Sequence, residues 1–391
     1  MTDFQNFLRT ADLEKYLRAA VFAFAGLALA MNIAACWKVY KAEPLRDAAS
    51  RSLMAAGSSW FYASGLAEPL PVAALKLAMA AGADPDKAVR VQGVALYVLV
   101  VAATLLLLNG LGRLAAPMAA LFLAANPYMG YYAMQGSSNL FSLLFLLLFW
   151  HYFDGGGGRR AALLAGLAGG LACLSRLDAA WALLVMTGFS WALRRGGFRL
   201  KEAGLALGLA ALLALPYLAW QRAHYGGAFY AQELSLRRWA NIDRYGYRPQ
   251  EAVPQGPLGP AAFLLRDGPG GALAGAFSGL GRALAYELPR VLYHKFLMVF
   301  VFLGAYAAFV FRKERLLVFL AAALLPLLPL AAVKQVPATG GIELRYYLPA
   351  LWALCALAGY GLQEVIGWFE KSVVGWALQK ALQAGARSGK K

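Results

Sequence analysis

Long apolar runs alternate with short polar segments along most of the chain. Stretches such as 94–108 and 316–333 contain no charged residue. A helix needs about 20 mostly apolar residues to cross the hydrocarbon layer of a bilayer. The pattern therefore predicts an all-α polytopic membrane protein with about ten transmembrane helices. These are expected near residues 19–37, 92–110, 114–132, 137–153, 161–174, 178–193, 203–220, 296–311, 316–333 and 347–368.

The expected crossings leave two long loops on the outer side of the membrane, at about 38–91 and 221–295. In the first loop, segments 47–57 and 69–82 have the spacing of short amphipathic helices, and each ends at a glycine. Both are too short to span, so we expect them to lie along the membrane interface. In the second loop a helical stretch is expected near 272–288.

This pattern divides the chain into three predicted regions. Residues 1–18 read as a cytoplasmic N-terminal amphipathic segment, and 19–368 form the transmembrane module. Residues 369–391 read as a basic cytoplasmic tail.

Composition narrows the class of protein. The chain is 61% hydrophobic and only 15% charged, whereas soluble domains average about 25% charged residues. A soluble enzyme, a disordered protein and a small disulfide scaffold are therefore excluded. The net charge of +17 comes mostly from residues that flank apolar segments. This placement indicates anionic lipid headgroups as partners and does not indicate nucleic acid.

Lysine and arginine in the short connections predict the orientation, because they concentrate on the cytoplasmic side. We expect a multi-pass protein of the cytoplasmic (inner) membrane with both termini in the cytoplasm. The basic residues of the short inner connections are Arg113, Arg159, Arg160, those of the 194–201 cluster, Arg312, Lys313 and Arg315.

No metal-ligand cluster is evident in the sequence. The three histidines lie in different regions, and Cys36, Cys173 and Cys355 are far apart. We therefore expect no resident cofactor and no metal site built by the protein alone. A divalent cation such as Mg²⁺ or Mn²⁺, held by a substrate phosphate and one carboxylate, is compatible with the sequence.

Acidic residues follow the first expected crossing. Glu43 and Asp47 are four apart, with Arg51 a further turn along, so a helix would place them on one face. A carboxylate at the membrane interface can act as a general base for an incoming hydroxyl or amine. Alternatively Asp47 caps the helix and pairs with Arg51, and the spacing alone favours this second interpretation.

Further candidates lie at outer ends of the expected helices. Arg345 and Tyr346 precede the last crossing, where they suit either a lipid phosphate or an ordinary interfacial belt. Arg176 and Asp178 suit a local ion pair. A mixture of aromatic and charged residues in the second loop suits sugar stacking, phosphate binding or interfacial anchoring. Its members are Tyr225, Tyr230, Glu233, Arg237 and Trp239.

Taken in order, these features resemble the glycosyltransferase C superfamily. The resemblance is to the dolichyl-phosphate-mannose protein mannosyltransferase and lipid A aminoarabinose transferase group. It rests on an acidic residue heading the first interfacial helix and on short motifs spread over residues 20–365. The matching segments are 47–57, Glu68-Pro69-Leu70, Asn126-Pro127, 166–176, 225–229 and 345–351.

The resemblance implies transfer of a sugar from a polyprenyl-phosphate donor. The acceptor would be a lipid, glycan or protein on the extracytoplasmic side. Asp47 takes the role of general base or acceptor orienter, with Glu43 and Glu68 as further acidic candidates. Arg345, Arg176 and Tyr346 take the donor phosphate. Tyr225, Tyr230, Glu233, Arg237 and Trp239 are candidates for contacts with the sugar or acceptor.

One departure from that family matters for activity. Many relatives carry an acidic residue before the fourth crossing, where this chain has Asn139. Either Glu43 or Glu68 compensates, or a second acid is not needed. Two other functions stay open: a membrane transporter or lipid flippase, and a non-catalytic subunit that binds other membrane proteins. The expected crossings hold few charges and show no internal repeat, which disfavours a transporter.

Overall fold

A computed structural model describes residues 11–45, 49–155, 157–193, 199–246, 253–325 and 344–388. Within these ranges the protein is all-helical and contains no strand. The α-helices in chain order are α1 (Ala11–Tyr40), α2 (Ala49–Gly57), α3 (Pro69–Ala80), α4 (Pro85–Leu107), α5 (Ala115–Ala124), α6 (Pro127–Met134), α7 (Ser138–Gly155), α8 (Arg159–Ser175), α9 (Ala179–Leu193), α10 (Leu200–Tyr225), α11 (Tyr230–Tyr245), α12 (Pro260–Leu264), α13 (Gly268–Arg282), α14 (Leu288–Val291), α15 (Leu297–Val310), α16 (Glu314–Leu324) and α17 (Leu348–Ser388).

Four helical segments among the described residues are long and apolar enough to cross a membrane. They are Lys15–Tyr40, Pro85–Leu111, Leu200–Tyr225 and Leu344–Glu370. A fifth would be the pair α6 and α7, which are bent by 116° relative to each other. The remaining expected crossings fall on shorter helices, and part of the ninth lies outside the described residues. The prediction of ten crossings is therefore not confirmed, whereas the all-α class is confirmed, together with four or five helices that could span a membrane.

One end of the helical bundle carries many basic residues, and we call it the basic end. Arg18 on α1 donates a 2.9 Å hydrogen bond to Asn109, which follows α4. Arg315 at the start of α16 forms an ion pair with Asp154 at the end of α7. The side chain of Gln363 accepts hydrogen bonds from backbone amides at the start of α5. The lysines and arginines here are Lys15, Arg18, Arg113, Arg159, Arg160, Arg199, Lys201, Arg312, Lys313 and Arg315.

The crossing expected over 114–132 is broken at Asn126, where α5 ends and α6 begins. Pro127 suits the first position of α6 because proline has no amide hydrogen to leave unpaired. The Asn126 carbonyl Oδ1 caps α6 by accepting from the backbone amides of the next turn. Its Nδ2 donates to the carbonyl oxygens of Val291 and Leu292. Asn32 of α1 donates to the Asn126 carbonyl at 2.8 Å, so one asparagine joins three helical regions.

Helices α15 and α17 approach each other at backbone distance. A Cβ added to Gly304 would overlap the Leu357 carbonyl, and one added to Gly361 would overlap the Phe300 carbonyl. Small residues at such crossings allow the close packing that is typical of helices in membranes. Nearby, the buried Trp352 indole donates to the Thr104 hydroxyl at 2.8 Å, which ties α17 to α4.

The two short helices expected in the first long loop are confirmed as helices α2 and α3. Ala55 of α2 and Val72 and Leu75 of α3 form part of a small buried cluster separate from the main core. After α3, Gly82 has φ of +83°, a left-handed conformation that suits glycine. Because this cluster fixes α2 against α3, the loop between them is held in place.

The helical stretch expected near 272–288 is also confirmed. Helix α13 continues through a π-helical turn, Ala283–Glu287, into α14. At the C-terminus, α17 runs without interruption from Leu348 to Ser388. The backbone therefore continues as one helix across the boundary expected between the transmembrane module and the tail at residue 369.

Candidate functional site

The candidate site lies at the end of the bundle opposite the basic end, and we call this the site end. The turn between α8 and α9 contributes Arg176, whose extended backbone ends α8. Its guanidinium forms a bidentate ion pair with Asp178, with Nη2–Oδ2 at 2.7 Å and Nε–Oδ1 at 3.0 Å. Nη1 also reaches the Ser138 hydroxyl at 3.4 Å. The ion pair expected between Arg176 and Asp178 is thus confirmed.

Tyr346 lies beside two guanidinium groups. The guanidinium carbons of Arg176 and Arg345 are each 5.0 Å from the centroid of its ring. The ring of Trp239 packs edge-on against Tyr346 with centroids 6.1 Å apart. The 3₁₀ turn Leu344–Tyr347 presents Arg345 and Tyr346 just before α17. The aromatic ring therefore supports cationic groups from two distant parts of the sequence.

Glu68 occupies the N-cap position of α3, but its side chain makes no capping hydrogen bond. The peptide before it is fixed, because the Tyr217 hydroxyl and the Ser64 hydroxyl both donate to the Ala67 carbonyl, at 3.1 and 2.7 Å. Pro69 follows and restricts the backbone further. The carboxyl group of Glu68 is thus carried on a loop fixed by hydrogen bonds, and it does not cap the helix that follows.

The charges around Glu68 define its chemistry. Burial raises the pKa of the Glu68 carboxyl, and Arg176 and Arg51 partly oppose this rise. Glu68 as a whole residue is half-buried. Arg51 on α2 is buried and donates to the Gly136 carbonyl at 2.9 Å. Burial lowers the pKa of Arg51 to about 10, so this residue stays cationic at neutral pH.

These groups bring a carboxylate together with several guanidinium groups. We call Arg51, Glu68, Arg176, Asp178, Arg345 and Tyr346 the charged cluster. Guanidinium groups bind phosphate oxygens through charge-assisted hydrogen bonds. A carboxylate whose pKa is raised is a stronger base than an ordinary one. The arrangement can therefore bind an anionic group and accept a proton beside it.

Two of the three acidic candidates from the sequence are not placed in this cluster. Asp47 lies outside the described residues, which resume at Ala49 on α2. Glu43 follows α1, which ends at Tyr40, and its backbone carbonyl accepts a hydrogen bond from the Arg90 guanidinium. Asn139 is buried and donates to the Ser137 hydroxyl at 3.1 Å, close to the Gly136 carbonyl that binds Arg51. Glu68 is the acidic candidate that the structure brings to Arg176 and Arg51.

The candidates of the second loop line the end of α10 and the start of α11. The rings of Tyr225 and Tyr230 stack, with centroids 5.1 Å apart and planes inclined by 10°. The Glu233 backbone carbonyl accepts from the Leu258 amide at 3.1 Å, and Arg237 donates to the Gly256 carbonyl at 3.2 Å. Trp239 is the member with a ring contact to Tyr346. This ring contact joins the second loop to the charged cluster.

Sequence reasoning did not select Arg51, Tyr217 or Gln221 as site residues. Tyr217 fixes the Ala67 peptide, and the Gln221 carbonyl Oε1 accepts from the Ala231 amide at 3.0 Å. A usable signal existed, because Tyr217, Gln221 and Tyr225 are spaced by four and share one face of α10. Arg51 was recognised only as a partner for Asp47.

Among the described residues, no group of three or more histidine, cysteine, aspartate or glutamate side chains could hold a metal ion. The expectation of a divalent cation bound through a substrate phosphate is not tested by this observation. Cys36, Cys173 and Cys355 are free and buried, as small core residues.

Comparisons with family models, with curated proteins and with solved structures find no match to this chain. The resemblance to the glycosyltransferase C superfamily therefore rests on the short motifs of the sequence.

Proposed function

We propose that the protein is a membrane glycosyltransferase that takes a sugar from a polyprenyl-phosphate donor. One observation carries the proposal: the Glu68 carboxyl lies close enough to the guanidinium groups of Arg51 and Arg176 to interact with both of them electrostatically. A donor of this kind has an anionic phosphate attached to a long apolar chain. Its phosphate suits a group of guanidinium side chains, and its chain suits the surrounding apolar helices.

The chemistry of such a step can be written with these groups. The acceptor hydroxyl attacks the anomeric carbon of the sugar, and the bond from that carbon to the phosphate oxygen breaks. The phosphate leaves with the bonding electrons and gains a negative charge, which Arg176 and Arg345 stabilise. The acceptor proton passes to the Glu68 carboxylate. The products are the glycosylated acceptor, the polyprenyl phosphate and a protonated Glu68.

Glu68 suits the role of base for a physical reason. A general base works best when its pKa lies near the working pH. Burial raises the pKa of Glu68 above its ordinary value, and the charges of Arg176 and Arg51 limit this rise. Asp47, the acidic residue that heads the motif in the sequence, stays a second candidate for the base or for orienting the acceptor.

The test uses purified protein in lipid with a panel of polyprenyl-phosphate and polyprenyl-diphosphate sugars. Release of the lipid phosphate is followed for the wild type, Glu68→Gln and Asp47→Asn. The matched control is Glu202→Gln, because Glu202 pairs with Arg199 at the basic end. Glu202 lies 15 positions before Tyr217 on α10, or roughly 22 Å along the helix axis.

Loss of release in Glu68→Gln by about 10²- to 10⁴-fold, with Glu202→Gln unaffected, is the expected result. Release that requires Asp47 but not Glu68 would retain the glycosyltransferase and move the base. If no donor of the panel is consumed in the presence of lipid, glycan and peptide acceptors, the proposal fails.

A transporter or flippase is the second candidate, and the bent pair α6 and α7 is the observation in its favour. Transporters use broken helices whose N-termini point at anionic substrates. Here, however, Asn126 Oδ1 already accepts from the first amides of α6, so that helix end is satisfied by the protein itself. Movement of a labelled polyprenyl-phosphate sugar across vesicles, without its consumption, would support this second candidate. A non-catalytic subunit would bind the donor and neither move nor consume it.

A further inference from the structure

A groove opens between α1 and α4 at the basic end, far from the charged cluster. It has a volume of about 390 Å³. Arg18 and Asn109 form its polar mouth, and its walls are apolar: Phe22, Ala102, Leu105 and Leu106. Arg18 donates to Asn109 at 2.9 Å and its guanidinium carbon lies 5.6 Å from the Phe22 ring centroid. The mouth of the groove is therefore a positioned cation.

The polar mouth and the apolar wall of the groove lie at the levels where headgroups and hydrocarbon are expected. Arg18 lies at the beginning of the apolar part of α1, and Asn109 follows the end of α4. Ala102 is seven positions before Asn109, so the apolar wall extends roughly 10 Å along α4 from the mouth. Ala102 and Leu106 are exposed, and the latter retains 78% of its accessible surface. In a bilayer this wall faces hydrocarbon, while Arg18 lies at headgroup level.

A guanidinium group at the mouth favours an anionic headgroup. It has five N–H groups in a planar fork, and Asn109 accepts from one nitrogen of that fork. The other N–H groups of the fork have a geometry that suits phosphate oxygens. Lys15 lies three positions before Arg18 and is exposed on α1, so it adds a second positive charge on the same face. A zwitterionic headgroup would bring its own cation next to these charges.

We propose that this groove binds an anionic phospholipid of the adjacent leaflet, with its phosphate at Arg18 and an acyl chain along Phe22 and Ala102. The site depends on the membrane embedding of α1 and α4 and is independent of the proposed glycosyl transfer. The lipid would fill the space between the two helices and hold them at their present separation.

The experiment adds phosphatidylglycerol or phosphatidylcholine to the full chain in neutral detergent and counts retained lipids by native mass spectrometry. Thermal unfolding of the same samples reports stabilisation. Arg18→Gln removes the charge at the mouth. Ala102→Phe fills the exposed apolar wall while leaving Arg18 in place. Lys201→Gln is the control, because Lys201 is an exposed cation of the basic end outside the groove.

We expect the wild type and Lys201→Gln to retain phosphatidylglycerol in preference to phosphatidylcholine. Arg18→Gln should weaken retention of phosphatidylglycerol by about 10- to 100-fold, as expected for loss of a charge-assisted contact. Ala102→Phe should also weaken it, even though no charge is removed.

Equal retention of both lipids by the wild type would overturn the assignment of an anionic headgroup. Full retention of phosphatidylglycerol by Ala102→Phe, with a cooperative unfolding transition, would overturn the groove as the binding site. If only Lys201→Gln lost the lipid, the site would lie elsewhere on the basic end and the proposal would fail.

Discussion

Arg176 lies over the ring of Tyr346, with its guanidinium carbon 5.0 Å from the ring centroid. Arg176 comes from the turn between α8 and α9, whereas Tyr346 precedes α17. Asp178 holds the other edge of the same guanidinium at 2.7 Å. The position of Arg176 is therefore fixed from two sides, which leaves little rotamer entropy to lose when an anionic ligand binds.

Replacement of Arg345 should weaken donor binding. In Arg345→Ala we expect the dissociation constant of a polyprenyl-phosphate sugar to rise by about 10- to 100-fold, because a charge-assisted contact is lost. The dissociation constant of Arg345→Lys should lie between those of the wild type and Arg345→Ala, since lysine keeps the charge but lacks the planar guanidinium fork. Equilibrium binding of a fluorescent donor measures this effect. An affinity unchanged in Arg345→Ala would place the phosphate at other residues.

The pH dependence of transfer should follow the carboxyl of Glu68. As a base, Glu68 acts when ionised, so activity should rise with pH through the raised pKa, above the ordinary value of 4.5. Removal of Arg176 takes away the main charge that lowers this pKa. Arg176→Gln should therefore move the acidic limb of the profile to higher pH, and Arg199→Gln, at the basic end, should not. An acidic limb that stays in place would contradict the role of Glu68.

The same group predicts how stability depends on pH. Since the pKa of Glu68 is raised in the folded state, the folded protein binds more protons than the unfolded chain between the two pKa values. The contribution of Glu68 to the free energy of unfolding is thus fully present below about 4.5 and declines as pH rises through the folded pKa. Glu68→Gln should remove this part of the decline. Chemical unfolding in mild detergent at several pH values measures the difference between the two proteins.

Asn126 should be important for stability and not for chemistry. Asn126→Leu removes the cap of α6 and the two bonds to the carbonyl oxygens near the end of α14. We expect a loss of about 1–3 kcal/mol, from the cap and from the unsatisfied buried carbonyls. Asn126→Asp keeps an acceptor for the cap but removes the Nδ2 donor, so it separates the two contributions. Equal stability of wild type and Asn126→Leu would show that water replaces these bonds.

Glycine substitutions should distinguish the crossing of α15 and α17 from open helix surface. Gly304→Ala places a methyl group against the Leu357 carbonyl and should destabilise the protein by about 1–3 kcal/mol or more through overpacking. Gly208→Ala on α10 meets nothing within 4 Å. It should be neutral or stabilising, by up to about 1 kcal/mol from helix propensity. Unfolding midpoints of the two variants, compared in one detergent, test this contrast.

The sequence was sufficient to predict the all-α class and most helix positions, because apolar runs and glycine or proline boundaries are local signals. It did not predict the break at Asn126. Residues 114–132 are apolar enough for one helix, and the local Asn126 cap and Pro127 gain further support for the break from the distant partners Asn32, Val291 and Leu292. The number of spans is not confirmed, since helices such as α5 are apolar but shorter than a membrane-spanning helix.

Prediction of the candidate site was limited for a related reason. Arg176, Arg345, Tyr346, Trp239 and Glu68 were selected from motifs, and the structure brings them to one end of the bundle. The electrostatic interaction of Glu68 with Arg51 and Arg176 depends on how α2, α3 and the α8–α9 turn pack. Spacing within one segment suggested Asp47 as the partner of Arg51, and the contact that the structure describes for Arg51 is with the Gly136 carbonyl.

The position of Asn126 also constrains how the protein is made. The Asn126 side chain is buried where α5 meets α6, so its polar groups need partners within the protein. Its Nδ2 group finds its acceptors at Val291 and Leu292, which a ribosome synthesises much later. Until then the amide needs a temporary partner during insertion. The N-terminal half should thus remain beside the translocation machinery until the segment containing α14 emerges.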